Sequence, residues 1–168
     1  MFNDIYGVFN FVLMKLGLIK TPLNFLGTTL AYPSIILVNV WRGFPFFAIN
    51  LLAGLQAIPE ELYEAAKVDG ASRWQSFLHI TLPGVRTVML IVTLLSFIWT
   101  ANDFTSIWVL TRGGPSGATE TFPIITYMTA FIGLELGKAA ALPVLLMPIF
   151  SILIVFLVRA VSGQEREG

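Results

Sequence analysis

A chain of 168 residues that is 56% hydrophobic and 12% charged, with a mean hydropathy of +0.80, does not fit a water-soluble domain and falls in the membrane class. Ten basic residues balance ten acidic ones, so net charge supplies no footprint for nucleic acid or an anionic surface. The absence of cysteine removes disulfides, thiolate metal sites and a Cys nucleophile.

The start, MFNDIYGVFNFVLMKLG, has neither a basic region ahead of its apolar stretch nor a small-residue cleavage site, so it does not read as a signal peptide. Residues 5–18 are apolar but short and interrupted by Gly7 and Lys15, which puts them at the membrane interface within a segment 1–30 outside the spans. A hydrocarbon core of about 30 Å needs roughly 20 apolar residues. Residues 31–58 meet that length, as do 87–110 and 139–160. Pro45, Pro143 and Pro148 interrupt two of these spans, which membrane helices tolerate where neighbours satisfy the freed carbonyls. Between the second and third spans, 111–138 forms a loop whose apolar piece 123–134 would reach only about 18 Å as helix. Thr121 as N-cap and Pro123 near the first turn mark that piece as a short interfacial helix. The fold expected is all-α and polytopic, with loop 59–86 and the tail 161–168 on one side of the membrane. Lys67, Arg73, Arg86, Arg159 and Arg166 lie on that side against Lys15, Lys20, Arg112 and Lys138 opposite, too even a split to set orientation.

The charged segment ELYEAAKVDGASRWQSFLHITLP interrupts this pattern. Pro59 suits a first helical position, and Glu60 and Glu61 then sit at the positive end of the helix dipole. Gly70 suits a left-handed C-terminal cap, and Ser72 with Gln75 has the spacing of a capping box. Trp74, Phe77 and Leu78 share one face of a second helix that Pro83 is expected to end. A helix, a sharp turn and a helix lying on the membrane surface would offer side chains to a partner in water, and Ala65, Ala66 and Ala71 leave room for another backbone.

Glu64-Ala65-Ala66, three residues, Gly70, nine residues and Ile80-Thr81-Leu82-Pro83 resemble the EAA signature of permease subunits in binding-protein-dependent ABC importers. The resemblance extends through GVFNFVLMKLGLI, the run from Trp41 to Pro59, Leu110-Thr111-Arg112-Gly113-Gly114-Pro115 with Thr119, Tyr127, Ala130-Phe131, and Gly137-Lys138-Ala139-Ala140-Ala141. Those stretches are similar to the carbohydrate-uptake, maltose-type branch and cover essentially the whole chain in one order. The resemblance implies a partial permease fold in the cell (plasma or inner) membrane, corresponding to the carboxyl-terminal half of a subunit that usually carries more spanning helices. It implies that 59–86 is cytoplasmic and docks into a cleft of the ATPase subunit, with Glu64 and Gly70 transmitting the movement and Ala65, Ala66, Asp69, Ile80, Leu82 and Pro83 completing the contact set. It also places 111–138 outside, with Gly113, Gly114 and Pro115 near a solute-binding protein and the cavity mouth. A second permease subunit completes the implied assembly, with lipid around it.

Polar residues inside the spans form two stripes: Asn39, Arg42 or Gly43, Phe46 and Asn50 on the first, and Ser96, Thr100 and Asp103 on the second. Such side chains either bond neighbouring helices, at about 1 kcal/mol each, or line a shared path. By the resemblance, the sugar-contacting positions are Asn39, Gly43, Phe46, Ser96, Thr100 and Asp103. Hydroxyls of a sugar need donors and acceptors, and its faces lie well on aromatic rings. Arg42 and Asp103 fit a neutral sugar less well. They are expected to compensate one another, so that Arg42→Met and Asp103→Asn each disrupt transport and the double change restores it; the alternative is that Arg42 meets an anionic substrate such as a sugar phosphate.

No G-x-x-x-x-G-K-[ST] occurs; Gly133-Leu-Glu-Leu-Gly137-Lys138 has one residue too few between its glycines. ATP and Mg are therefore expected on a separate ATPase chain, with no cofactor and no catalytic residue here. TRGGPSGAT reads as a flexible loop. The single histidine, His79, reads as a surface side chain, and Glu60, Glu61 and Glu64 have no histidine at ligand spacing to make a metal set. A transmembrane permease subunit of an ATP-driven sugar or polyol importer is the function expected, against an ion-coupled secondary carrier with Asp103 titrating or a non-transporting membrane scaffold.

Overall fold

The computed structural model describes residues 1–3 and 6–164, and every regular element among them is helical. The end of the expected tail, 165–168 with Arg166, and Ile5 at the start of the expected interfacial piece lie outside the described residues. The helices are α1 (Val8–Lys15), α2 (Ala31–Gln56), α3 (Glu60–Val68), α4 (Arg73–Ala101), α5 (Thr105–Leu110), α6 (Phe122–Ile132) and α7 (Leu136–Gln164). α2, α4 and the Leu136–Val155 part of α7 are long and apolar enough to cross a membrane. Large apolar side chains such as Trp41, Ile49 and Ile152 are exposed along them, as lipid-facing residues are. The chain divides into two compact units: Met1–Arg42 with Thr100–Leu146, and Gly43–Trp99 with the stretch from Met147 onward.

In the unit built on Gly43–Trp99, the helix expected to end at Pro83 does not end there. α4 runs from Arg73 to Ala101, passing through a π-helical turn at Phe77–Thr81 where the Leu82 N–H reaches back to the Phe77 carbonyl. Proline has no N–H for the carbonyl four residues earlier, and its ring crowds that carbonyl. Widening the preceding turn relieves the clash and lets the helix continue. Gly84 follows at a close crossing: a Cβ there would stand 2.7 Å from Ile58 Cδ1. Phe46 lies edge-on to Trp99 at 4.9 Å, and Phe97 to Phe150 at 6.3 Å.

The second correction to α4 is its other end. The expected span 87–110 stops at Ala101, and Thr105–Leu110 is a separate short helix. Asp103 is the reason within reach: its Oδ1 accepts from the Ser106 N–H at 3.2 Å, which serves the start of α5 rather than the continuation of α4.

The other unit has a small core of Ile35, Ile107 and fully buried Ile124, with Phe104, Trp108, Leu110 and Met128 packed around it. Near its amino end, Asn10 is clamped to the chain 13 residues on: its Nδ2 donates to the Leu23 carbonyl at 2.8 Å and its Oδ1 accepts from the Leu23 N–H at 2.9 Å. α6 begins after Thr121 as expected, although Thr121 makes no side-chain cap bond and its buried Oγ1 has no hydrogen-bond partner among the described residues. α6 closes with a π-helical turn at Met128–Ile132, two residues before the expected end.

The loop TRGGPSGAT is knotted rather than loose. Thr119, 3% exposed, bonds the Thr111 hydroxyl at 2.7 Å, donates to the Gly114 carbonyl at 2.7 Å, and donates its N–H to the Gly113 carbonyl at 3.2 Å. Gly113 and Gly114 are thereby held by one buried threonine, and the Pro115 carbonyl receives the Ala118 N–H. Thr119→Val keeps the shape and removes the hydroxyl. Amide hydrogen exchange across 111–121 in the purified protein is expected to rise about tenfold, the effect of losing about 1.4 kcal/mol of local stability; unchanged protection would show the hydroxyl to be dispensable.

Candidate functional site

Segment 59–86 folds as the helix, turn and helix its punctuation predicts, with one shift. Pro59 is the N-cap of α3, so Glu60 and Glu61 fill its first turn. α3 ends in a Schellman motif: the Gly70 N–H donates to the Lys67 carbonyl at 3.1 Å and the Ala71 N–H to the Ala66 carbonyl at 2.9 Å. Gly70 adopts φ +75°, the left-handed region that side-chain-bearing residues avoid. The capping box is complete, with the Gln75 N–H on Ser72 Oγ at 3.3 Å and the Ser72 N–H on Gln75 Oε1 at 2.7 Å. Trp74 and Phe77 stack at 5.5 Å on the second helix.

A bond that sequence reasoning missed closes the elbow: Tyr63 Oη and Thr81 Oγ1 are 2.9 Å apart, tying α3 to the π-helical turn of α4. Thr81 lies inside the recognised signature, but nothing in the sequence shows that a widened turn carries it to Tyr63. The outer surface of the elbow leaves Glu64 and Asp69 exposed and Val68 and Trp74 bare at 89% and 67% exposure. They are two large apolar side chains left bare in an otherwise charged turn. His79 is exposed as expected, with Nδ1 3.0 Å from the Gln75 carbonyl.

The polar stripes are brought together in part. Thr100 Oγ1 donates to Asn39 Oδ1 at 3.3 Å, joining α2 to α4. One turn further along α2, Arg42 grips Asp103 with both ends of its guanidinium: Nη2 to Oδ2 at 2.8 Å and Nη1 to Oδ1 at 3.3 Å. Nη1 also donates to Ser106 Oγ at 2.6 Å. The expected compensation of Arg42 by Asp103 is present in the structure. Ser106 was absent from the sequence reading, although it stands one helical turn after Asp103. Burial disfavours the Asp103 carboxylate, but the bonds from Arg42 and Ser106 and the guanidinium charge outweigh it and hold its pKa below the usual aspartate value. Asp103, just past the end of α4, is thus held ionised rather than poised to titrate as a proton carrier's group would be.

Asn39, Thr100 and Asp103 line a groove of ≈ 220 Å³, with Thr119 from the knotted loop, Thr121 just before α6, and Tyr32 and Ile35 among the rest of its wall. Gly43, Phe46 and Ser96 belong to the other unit. There the Phe46 ring packs on Trp99, an aromatic neighbour that polar-stripe reasoning passed over. Asn50 Nδ2 donates to the Phe46 carbonyl at 2.7 Å within α2, which accounts for a polar side chain in a span without a path. Among the described residues no cluster of His, Cys, Asp and Glu has the makings of a metal site.

Residues 2–164 match the family described as binding-protein-dependent transport system inner membrane component, and the chain belongs to that family. With three helices among the described residues long and apolar enough to cross a membrane, it is an integral membrane protein. It is 42% identical over 146 residues to the trehalose/maltose transport system permease protein MalF of Thermococcus litoralis, which covers 86% of this chain and 48% of that protein. It is 36% identical over 170 residues to the diacetylchitobiose uptake system permease protein DasB of Streptomyces coelicolor, covering 99% of this chain and 52% of that protein. Among solved structures, a bacterial ABC transporter involved in the import of the acidic polysaccharide alginate matches 96% of this chain and 56% of its own, with a TM-score of 0.81 at 25% identity. The chain spans about half the length of the curated relatives it matches.

The ion pair is lopsided, with Asp103 7% exposed and Arg42 50%. Arg42→Met strands a buried carboxylate, whereas Asp103→Asn leaves a cation that is half exposed. Thermal unfolding of the purified protein is expected to rank Arg42→Met below Asp103→Asn. The double variant should lie above either single, with a coupling of about 1–2 kcal/mol, less than a fully buried pair gives because Arg42 is half exposed. Additive losses would mean that the two side chains act separately.

Proposed function

We propose that this chain forms part of a permease subunit of an ATP-driven ABC importer, translocating a sugar or polyol delivered by an extracellular or periplasmic binding protein. The observation that carries the reading is the capped elbow at 59–86, with its bare apolar tip, in a chain matched to the inner-membrane family over 2–164. Relatives named for trehalose, maltose and diacetylchitobiose support carbohydrate as the cargo. A structural neighbour solved with an alginate pentasaccharide-bound periplasmic protein supports a binding protein as partner.

In this reading the elbow faces the cytoplasm and seats in an ATPase subunit, so that α4 passes movement from the elbow into the membrane as one continuous rod. ATP and Mg are held by that separate ATPase chain, and the hydrolysis is its work. A second permease subunit supplies the facing wall of the path. The Asn39, Thr100 and Asp103 groove takes the sugar; Gly43, Phe46 and Ser96 join the path on the strength of the family resemblance. The knotted loop with Gly113, Gly114 and Pro115 faces outward toward the binding protein.

Gly70 and Glu64 test the elbow. Proline holds φ near −65°, incompatible with the +75° at Gly70, and Glu64→Lys reverses the charge offered to the partner. In the complete transporter reconstituted in liposomes, both Gly70→Pro and Glu64→Lys are expected to leave the subunit inserted and ATP hydrolysis running while uptake of labelled sugar falls about tenfold or more. Normal uptake by both variants would remove the elbow from the coupling path.

A further inference from the structure

A second hollow lies in the elbow itself, between α3 and the first turns of α4. It measures ≈ 230 Å³, and its wall includes Tyr63, Lys67, Arg73, Ser76, Phe77 and Thr81. One water needs about 10–15 Å³ of such space, so a group the size of a phosphate fits. The elbow is rich in carboxylates, yet Glu60, Glu61, Glu64 and Asp69 are all absent from that wall. Lys67 and Arg73, both exposed, make no ion pair with any described residue. Lys67 suits the last turn of α3, but Arg73 opens α4, at the end where the helix dipole disfavours a cation. Two like charges bordering one hollow repel, and an anion between them removes that cost. The Tyr63–Thr81 pair consumes one of its two hydroxyl protons internally and leaves the other for an acceptor, while Ser76 donates its own to the Ser72 carbonyl at 3.3 Å.

Depth decides the kind of anion. Counted back from Ala101, a hydrocarbon core of about 30 Å takes about 20 residues of α4 and ends near Leu82. The headgroup layer beyond it is about 5–8 Å thick and takes in Thr81 and Phe77. Arg73, about 13 Å past Leu82 along the helix, borders the same hollow as Thr81, so the hollow extends from the headgroups to the water. Phe77 and Leu82 are exposed at the acyl boundary. We propose that the hollow is a site for the headgroup of an anionic phospholipid. Lys67 and Arg73 hold the phosphodiester, the spare hydroxyl proton of the Tyr63–Thr81 pair donates to one of its oxygens, and Phe77 lies against the start of the acyl chains. A choline headgroup carries its own cation, which Lys67 and Arg73 repel. With the elbow cytoplasmic the lipid belongs to the inner leaflet, and its recognition is independent of what the chain transports.

The test is native mass spectrometry of the complete transporter released from nanodiscs made of equal parts phosphatidylglycerol and phosphatidylcholine. The wild type is expected to retain phosphatidylglycerol over phosphatidylcholine by about tenfold, a preference that salt erodes. Lys67→Gln with Arg73→Gln should retain one phosphatidylglycerol fewer per subunit, whereas the charge-preserving exchange Lys67→Arg with Arg73→Lys should keep it. An unchanged phosphatidylglycerol count in the Gln variant overturns the proposal. A Gln variant that keeps its lipid but loses the ATPase subunit also overturns it, making the two cations contacts of the partner protein. Displacement of phosphatidylglycerol by added inorganic phosphate makes the hollow a site for soluble anions and overturns the lipid assignment. Each of these results leaves the importer reading standing, since that reading is tested by sugar uptake in Gly70→Pro and Glu64→Lys.

Discussion

Hydrocarbon offers no hydrogen bonds, so every backbone N–H and C=O inside it must be satisfied by the chain. That constraint dictates where this protein is allowed to bend. The three long helices among the described residues satisfy the requirement along their lengths, and at four changes of direction a named device takes up otherwise orphaned groups. At Gly70 the device is a Schellman motif, and at Ser72 a reciprocal cap with Gln75. At the break between Ala101 and Thr105 a carboxylate receives the Ser106 N–H. In the loop after α5 a single buried threonine gathers two bonds to other loop groups through its hydroxyl and a third through its own N–H.

The same constraint joins the elbow to the membrane. Had α4 stopped at Pro83, two helices would meet through a loop, and motion of one would reach the other only loosely. The π-helical turn at Phe77–Thr81 absorbs the proline, so one rod of 29 residues runs from the elbow to Ala101. Tyr63 and Thr81 brace α3 against that turn. The elbow is therefore a braced element, with Val68 and Trp74 exposed on its surface.

The break at the other end of α4 is where charge enters. A buried carboxylate needs a cation, and Arg42 from α2 supplies it in bidentate form. Asp103 therefore serves three neighbours at once: it receives the Ser106 N–H of α5, anchors α2, and borders the groove that Asn39 and Thr100 share. Removing a residue placed this way changes structure and electrostatics together, which is why the charged cluster has to be judged by pairs of substitutions.

Local punctuation was legible from residue types alone. Gly70, the Ser72–Gln75 box and the start of α6 at Thr121 follow from which side chains tolerate a left-handed backbone or cap an N-terminus, and the first and third spans follow from apolar length. The pairing of Arg42 with Asp103 was also within reach, because two opposite charges in apolar spans seldom remain apart. What composition and spacing left undetermined are the contacts between residues far apart in the chain. Hydropathy is blind to a helix break whose residues remain apolar on both sides, so 87–110 read as one span although it ends at Ala101. Proline and glycine counts describe intrinsic freedom, so TRGGPSGAT read as flexible until Thr119 was seen to tie it down. The sequence by itself determined the all-helical membrane architecture and the capped elbow, since those depend on local backbone preference and apolar length. Only the tertiary structure decided that α4 runs through Pro83, that Tyr63 meets Thr81, and that Ser106 joins Asp103 in holding Arg42, because each depends on which groups are brought within bonding distance.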